Sequence, residues 1–100
     1  MGNFFNLLVK DDEQFMEAVK YNKNMIEMDT LLKKINDEGI EIKVLSGFDA
    51  NSDDEYVSTF RRCEIEISSP TDYYKIKSIL DDEDYYHYYS QNDNSLLITI

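Results

Sequence analysis

Arg62-Cys63-Glu64-Ile65-Glu66-Ile67-Ser68-Ser69-Pro70-Thr71-Asp72 changes its period partway along, and the change decides the fold class. Cys63, Ile65 and Ile67 alternate with Arg62, Glu64 and Glu66, so an extended chain puts the apolar set on one face and the charged set on the other. Ser69 then offers a capping oxygen, Pro70 suits the first helical position, and the acid at Asp72 suits the positive end of a helix dipole. A half-buried strand that runs straight into a helix calls for an α+β arrangement, with helices on one face of an antiparallel sheet.

Upstream, Ile40, Ile42 and Val44 alternate with Glu41 and Lys43, which is a second strand with one buried face. A polar loop from Ser46-Gly47 through Glu55 separates it from a longer strand expected over Tyr56 to Ser68. The two strands can pair as a hairpin, with Lys43 near Glu64 or Glu66. Gly39, directly after Asn36-Asp37-Glu38, is a helix stop. The helical region before it begins at Asp11, a cap that Gln14 can answer in the capping-box manner. Phe15, Ala18 and Val19 form a first stripe; Met25, Met28, Leu32 and Ile35, with Leu31 beside them, form a second. Tyr21-Asn22-Lys23-Asn24 interrupts the pattern, so either one long helix bends at the asparagines or two helices meet there; a break near Asn22 to Asn24 is the expectation, with Asn24 as a fresh cap. The short apolar run Asn3 to Val9 suits a first strand by its length and its acidic border.

Downstream, Tyr73, Ile76 and Leu80, with Ile79 alongside, give the last helix its buried stripe. Tyr85 to Ser90 reads as a strand, Gln91 to Asn94 as a turn, and Ser95 to Ile100 as a final strand with Leu96, Ile98 and Ile100 on one face. The expected order is β-α(α)-β-β-α-β-β in a single domain over residues 1–100. That order resembles a ferredoxin-like, split βαβ two-layer sandwich with an added terminal strand.

The charge balance narrows the function classes. Twenty-one acids against ten bases give a net charge of -11, a field that repels phosphate backbones and anionic membrane surfaces and steers cationic partners. Direct binding to nucleic acid or membrane is therefore not expected. A plainer source of the acidity is solubility alone. Cys63 is the only cysteine, so no intramolecular disulfide can form, and a small buried hydrophobe in a reducing cytoplasm is the expectation. There is no apolar stretch of membrane-spanning length.

Catalytic and metal motifs are absent. The stretch starting at Asp49 opens like an EF-hand loop, but Asp54 stands where its glycine belongs and Phe60 where its bidentate glutamate belongs. His87 is a lone histidine with no nucleophile motif pointing to it. Gly2, Gly39 and Gly47 are too scattered to cradle a phosphate. No enzyme, cofactor or metal site is expected.

The tyrosines are more informative. Eight tyrosines occur with no tryptophan, and five of them adjoin acidic runs: Tyr56 after Asp53-Asp54-Glu55, and Tyr85, Tyr86, Tyr88 and Tyr89 after Asp81-Asp82-Glu83-Asp84. On a strand, Tyr85, His87 and Tyr89 face one side, and Tyr86, Tyr88 and Ser90 the other. One tyrosine set then lies away from the helices, or else packs against a neighbouring element. An exposed tyrosine row rimmed by carboxylates matches an Arg/Lys-rich groove, because tyrosine offers large contact area at low entropy cost and accepts cations on its ring face. Grooves of that kind are typical of proteins that bind nucleic acid. In composition and size the chain is similar to small acidic inhibitors of such proteins. The expected function is therefore non-enzymatic inhibition of a basic nucleic-acid-binding protein such as a nuclease, in the manner of a phage anti-CRISPR or anti-restriction DNA mimic. The expected contacts are Asp53, Asp54, Glu55, Asp81, Asp82, Glu83, Asp84, Tyr86 and Tyr88. An immunity protein or antitoxin against a nuclease toxin shares the same logic. A self-associating regulatory or structural module is the rival from another class.

Overall fold

The computed structural model describes residues 4–100. A short helix α1 (Phe5–Leu8) leads to α2 (Asp12–Ala18), a single 3-10 turn at Val19–Tyr21, and the long helix α3 (Asn22–Asp37). Strand β1 (Ile42–Ser46), the one-turn helix α4 (Glu55–Ser58), β2 (Arg62–Ile67), helix α5 (Pro70–Asp82), β3 (Tyr86–Ser90) and β4 (Ser95–Thr99) complete the chain.

The sheet is antiparallel throughout, in the order β1-β2-β4-β3. Its inner face carries Cys63, Ile65, Ile67, Leu96 and Ile98, all buried in one core with Met25, Met28, Leu32 and Ile35 of α3 and Ile76 and Leu80 of α5. The alternation that marked β2 in the sequence is thus the inner/outer alternation of the sheet. Lys43 stands opposite Glu66. Ser69 caps α5 by accepting from the Asp72 N–H at 3.4 Å, and Gly39 closes α3 with φ +82°, a conformation that suits glycine.

The N-terminal run is helical where a strand was expected. Asn3 lies outside the described residues, and α1 replaces the rest of that strand. Its first turn forms because Asp29, buried on α3, accepts the Phe4 N–H at 3.0 Å, while the N–H groups of Leu7 and Leu8 close on Phe4 O. Phe4, Leu8 and Val9 are buried, so the apolar run still serves the core. In a split βαβ sheet the first strand lies at the centre; here β4, at the opposite end of the chain, fills that place between β2 and β3. The two layers are kept and the central strand is supplied differently.

Two boundaries also differ from expectation. The helix break falls at Val19–Tyr21, ahead of Asn22; Asn24 caps nothing and instead donates through Nδ2 to Thr59 O at 2.9 Å. Asp11 does cap α2, accepting from the Gln14 N–H at 2.8 Å, but Gln14 Oε1 accepts from the Ala50 N–H and ties α2 to the loop after β1. The strand expected from Tyr56 starts only at Arg62. Asp54 accepts the Tyr56 N–H and nucleates α4, and Phe60, at φ +63°, turns the chain while its ring is fully buried and stacked on Phe48 at 5.1 Å.

Candidate protein-binding surface

The outer face of the sheet is built from the residues that alternate with the core set. Two cross-strand rows define it: Arg62, Thr99 and Tyr86 in one, and Glu64, Leu97 and Tyr88 in the next. A third row joins Lys43, Glu66, Ser95 and Ser90. Tyr86 and Tyr88 are 59% and 60% exposed, because α3 and α5 pack against the opposite face.

The other strand positions of the tyrosine run point inward. Tyr89 stacks on Tyr73 of α5 at 4.2 Å with the rings nearly parallel, and its hydroxyl donates to Asn94 Oδ1 at 3.0 Å. His87 lies 6.0 Å from the same Tyr73 ring and is half-buried, a packing position. Tyr85 is pushed up to about 12 by burial, by its hydrogen bond to Glu27 and by the charges of Glu27 and Glu83. The five-residue alternation therefore divides the run into a packed set and a displayed set.

Among the acids, Asp54 has a structural task. Desolvation in its loop pushes its carboxyl up, and the Tyr56 N–H and the Arg62 guanidinium more than offset this, holding it below the ordinary aspartate range. Asp53 and Glu55 beside it are exposed. Asp81, Asp82, Glu83 and Asp84 are all exposed at the end of α5. Asp81 pairs with Lys77 at 2.7 Å, which lowers its pKa, and Glu83 pairs with Lys34 at 3.3 Å. Asp84 takes φ +59° and turns the chain into Tyr86 two residues on. The nine expected contact residues thus fall in two groups at one end of the sheet. Asp54 reaches the face through Arg62, in the Tyr86 row, whereas Asp81 to Asp84 rim the entry to β3 from the helix layer.

The sequence reading missed the cationic corner of this face. Arg61 and Arg62, the only arginines of the chain, both lie over the Tyr56 ring, at 5.0 and 4.6 Å. Arg62 also donates through Nε to Thr99 Oγ1 at 2.8 Å, and Arg61 through Nε to Ile100 O at 3.1 Å. A tyrosine followed by an arginine pair was the available signal, but it depends on the turn at α4 that folds Tyr56 back over β2.

Cys63 is buried, 3.4 Å from Met28 Sδ, and its thiol is pushed up to about 12, first by burial and then by Glu64, so it is inert as a nucleophile. Among the described residues no His, Cys, Asp and Glu side chains are grouped to hold a metal ion, and no helix is long and apolar enough to cross a membrane. A hollow of about 330 Å³ is lined by Ile26, Leu31, Glu27 and Glu83, among others. No protein-family model, curated protein or solved structure matches the chain.

Proposed function

We propose that this chain is a non-enzymatic acidic binding protein that occupies the cationic groove of a nucleic-acid-binding protein, a nuclease above all, and so keeps nucleic acid out of it. The observation that carries the reading is the outer sheet face, where Tyr86 and Tyr88 stand about 60% exposed on the strand that directly follows the exposed carboxylates of the α5–β3 turn. Exposed aromatic area backed by a net charge of -11 is suited to arginine and lysine side chains: the field speeds encounter and the rings supply contact. The reducing cytoplasm is the compartment this reading assigns, since the single thiol is used as a core residue. Inhibition of a host defence nuclease and neutralisation of a nuclease toxin require the same surface.

Affinity capture from lysate of the source cell at low salt, with elution by a salt gradient, tests the reading. The expected result is a basic nucleic-acid-binding protein, released as salt rises, whose nucleic-acid binding the chain competes. Replacing Asp81, Asp82, Glu83 and Asp84 by lysine should abolish that binding while α5 is kept, because cations favour a helix C-terminus. Retained affinity in this variant, or recovery only of a salt-resistant self-oligomer, overturns the assignment.

A further inference from the structure

We infer that the free edge of β3 is a strand-docking site, taking a short extended segment of the basic partner as a fifth strand of the sheet; the inference rests on the proposed basic partner and names how that partner is held.

The two edges of the sheet are not alike. An edge strand pairs on one side only, so alternate backbone N–H and C=O groups point outward and form a template for another chain. At β1 this template is spoiled: the register shifts between Val44 and Ser46, Lys43 sits on the strand, and the chain just beyond is engaged by the N-terminal segment, where Leu8 O accepts from the Phe48 N–H at 2.9 Å. At β3 none of these devices occurs among the described residues. Tyr86 to Ser90 pair with Thr99 to Ser95 without a shift, and the strand has no lysine, arginine or proline.

What flanks the edge selects its occupant. Asp81 to Asp84 precede β3 and Asp93 follows it. Two copies pairing antiparallel through β3 would bring the acidic entry of one against the acidic exit of the other, so self-pairing is opposed by like charge. A strand carrying lysine or arginine meets the opposite situation. Strand alternation then fixes its pattern. Side chains on the outer face lie beside Tyr86 and Tyr88, whose exposed rings accept cations. Side chains on the inner face lie beside Tyr89 and the Tyr73 ring stacked on it, where apolar groups fit. The occupant is therefore an alternating basic/apolar segment of about five residues, the length of β3.

The test is titration of the isotope-labelled protein with a capped peptide of alternating lysine and valine, followed by NMR shifts and amide exchange at low and physiological salt. Two further peptides are N-methylated, one on every lysine amide and one on every valine amide. Because successive N–H groups of a strand point to opposite sides, one methylated peptide should lose affinity at least about tenfold. The other should bind as the parent does, with shifts and slowed exchange centred on Tyr86 to Ser90. If both methylated peptides bind like the parent, with shifts spread over the acidic surface, the edge proposal falls and the basic-partner reading stands. If no peptide binds at low salt, both fall. A peptide-independent dimer through β3 assigns the edge to a second copy and overturns the proposal.

Discussion

Arg62 Nη1 lies 2.8 Å from Asp54 Oδ2, and the same guanidinium covers the Tyr56 ring, so one arginine joins the α4 turn to the outer face of the sheet. Because the Asp54 carboxyl titrates below its ordinary value in the folded protein, its contribution is fully present above the unfolded aspartate pKa. It is lost as pH falls through the lower folded value. Melting temperature followed from neutral pH into strong acid should show Asp54→Asn a few degrees below the parent at neutral pH and level with it in the most acidic buffers. A constant offset across the whole range would show that the ionised state of Asp54 contributes nothing to stability.

Gly47 is fixed by close approach. A Cβ there would sit 2.5 Å from Leu8 O and 2.8 Å from Leu8 Cα, both backbone atoms that cannot swing away. Gly47→Ala should cost about 1–3 kcal/mol, as overpacking does, and urea unfolding measures it. Gly39, with φ +82° and open space around its Cβ position, provides the contrast. Gly39→Ala should cost only about 1 kcal/mol, from backbone strain alone. Equal losses in the two variants would remove the steric argument for Gly47.

The elements with strong periodic signals were legible: β2 from its strict alternation, α5 from its Ser-Pro start, α3 from its Met/Leu/Ile stripe. Most of the errors turned on a partner distant in sequence, and one on a local cap. Whether Phe4 to Val9 formed a strand or a helix turned on Asp29, 25 residues from Phe4, and on β4 filling the central place in the sheet. The lost first half of the long strand turned on a local cap at Asp54 and on Phe60 accepting a left-handed backbone because its ring is buried against Phe48. For the candidate surface, alternation separated Tyr86 and Tyr88 from their neighbours at once. The arginine corner required the turn at α4, which period gave no sign of.

Asp29 offers a second test of long-range control. It is the buried acceptor of the Phe4 N–H, and Asp29→Ala leaves that donor without its partner, at a cost of about 1–3 kcal/mol. The loss should be local before it is global: amide exchange should rise through α1 and at Phe48, whose N–H bonds Leu8 O, while the centre of β2 stays protected. Asp29→Asn keeps an acceptor oxygen and should recover most of the protection. Uniform loss of protection across the sheet would show instead that α1 is cooperative with the whole core.

The division of the tyrosines gives the sharpest separation of folding from binding. Tyr86→Ala and Tyr88→Ala remove side chains that are about 60% exposed, so each should change stability by less than about 0.5 kcal/mol. Each should still weaken the captured basic partner by about tenfold or more, as loss of an aromatic anchor does. Tyr89→Ala removes a ring stacked at 4.2 Å on Tyr73 together with the hydroxyl bonded to Asn94. It should destabilise by about 2–4 kcal/mol, nearer the cost of truncating a core aromatic, and lower affinity only as far as it unfolds the protein. Thermal melts and binding isotherms on the three variants decide the matter. If Tyr86→Ala and Tyr88→Ala leave affinity unchanged, the outer face is a solvated surface, and the partner must be held by the acidic turn after α5 alone.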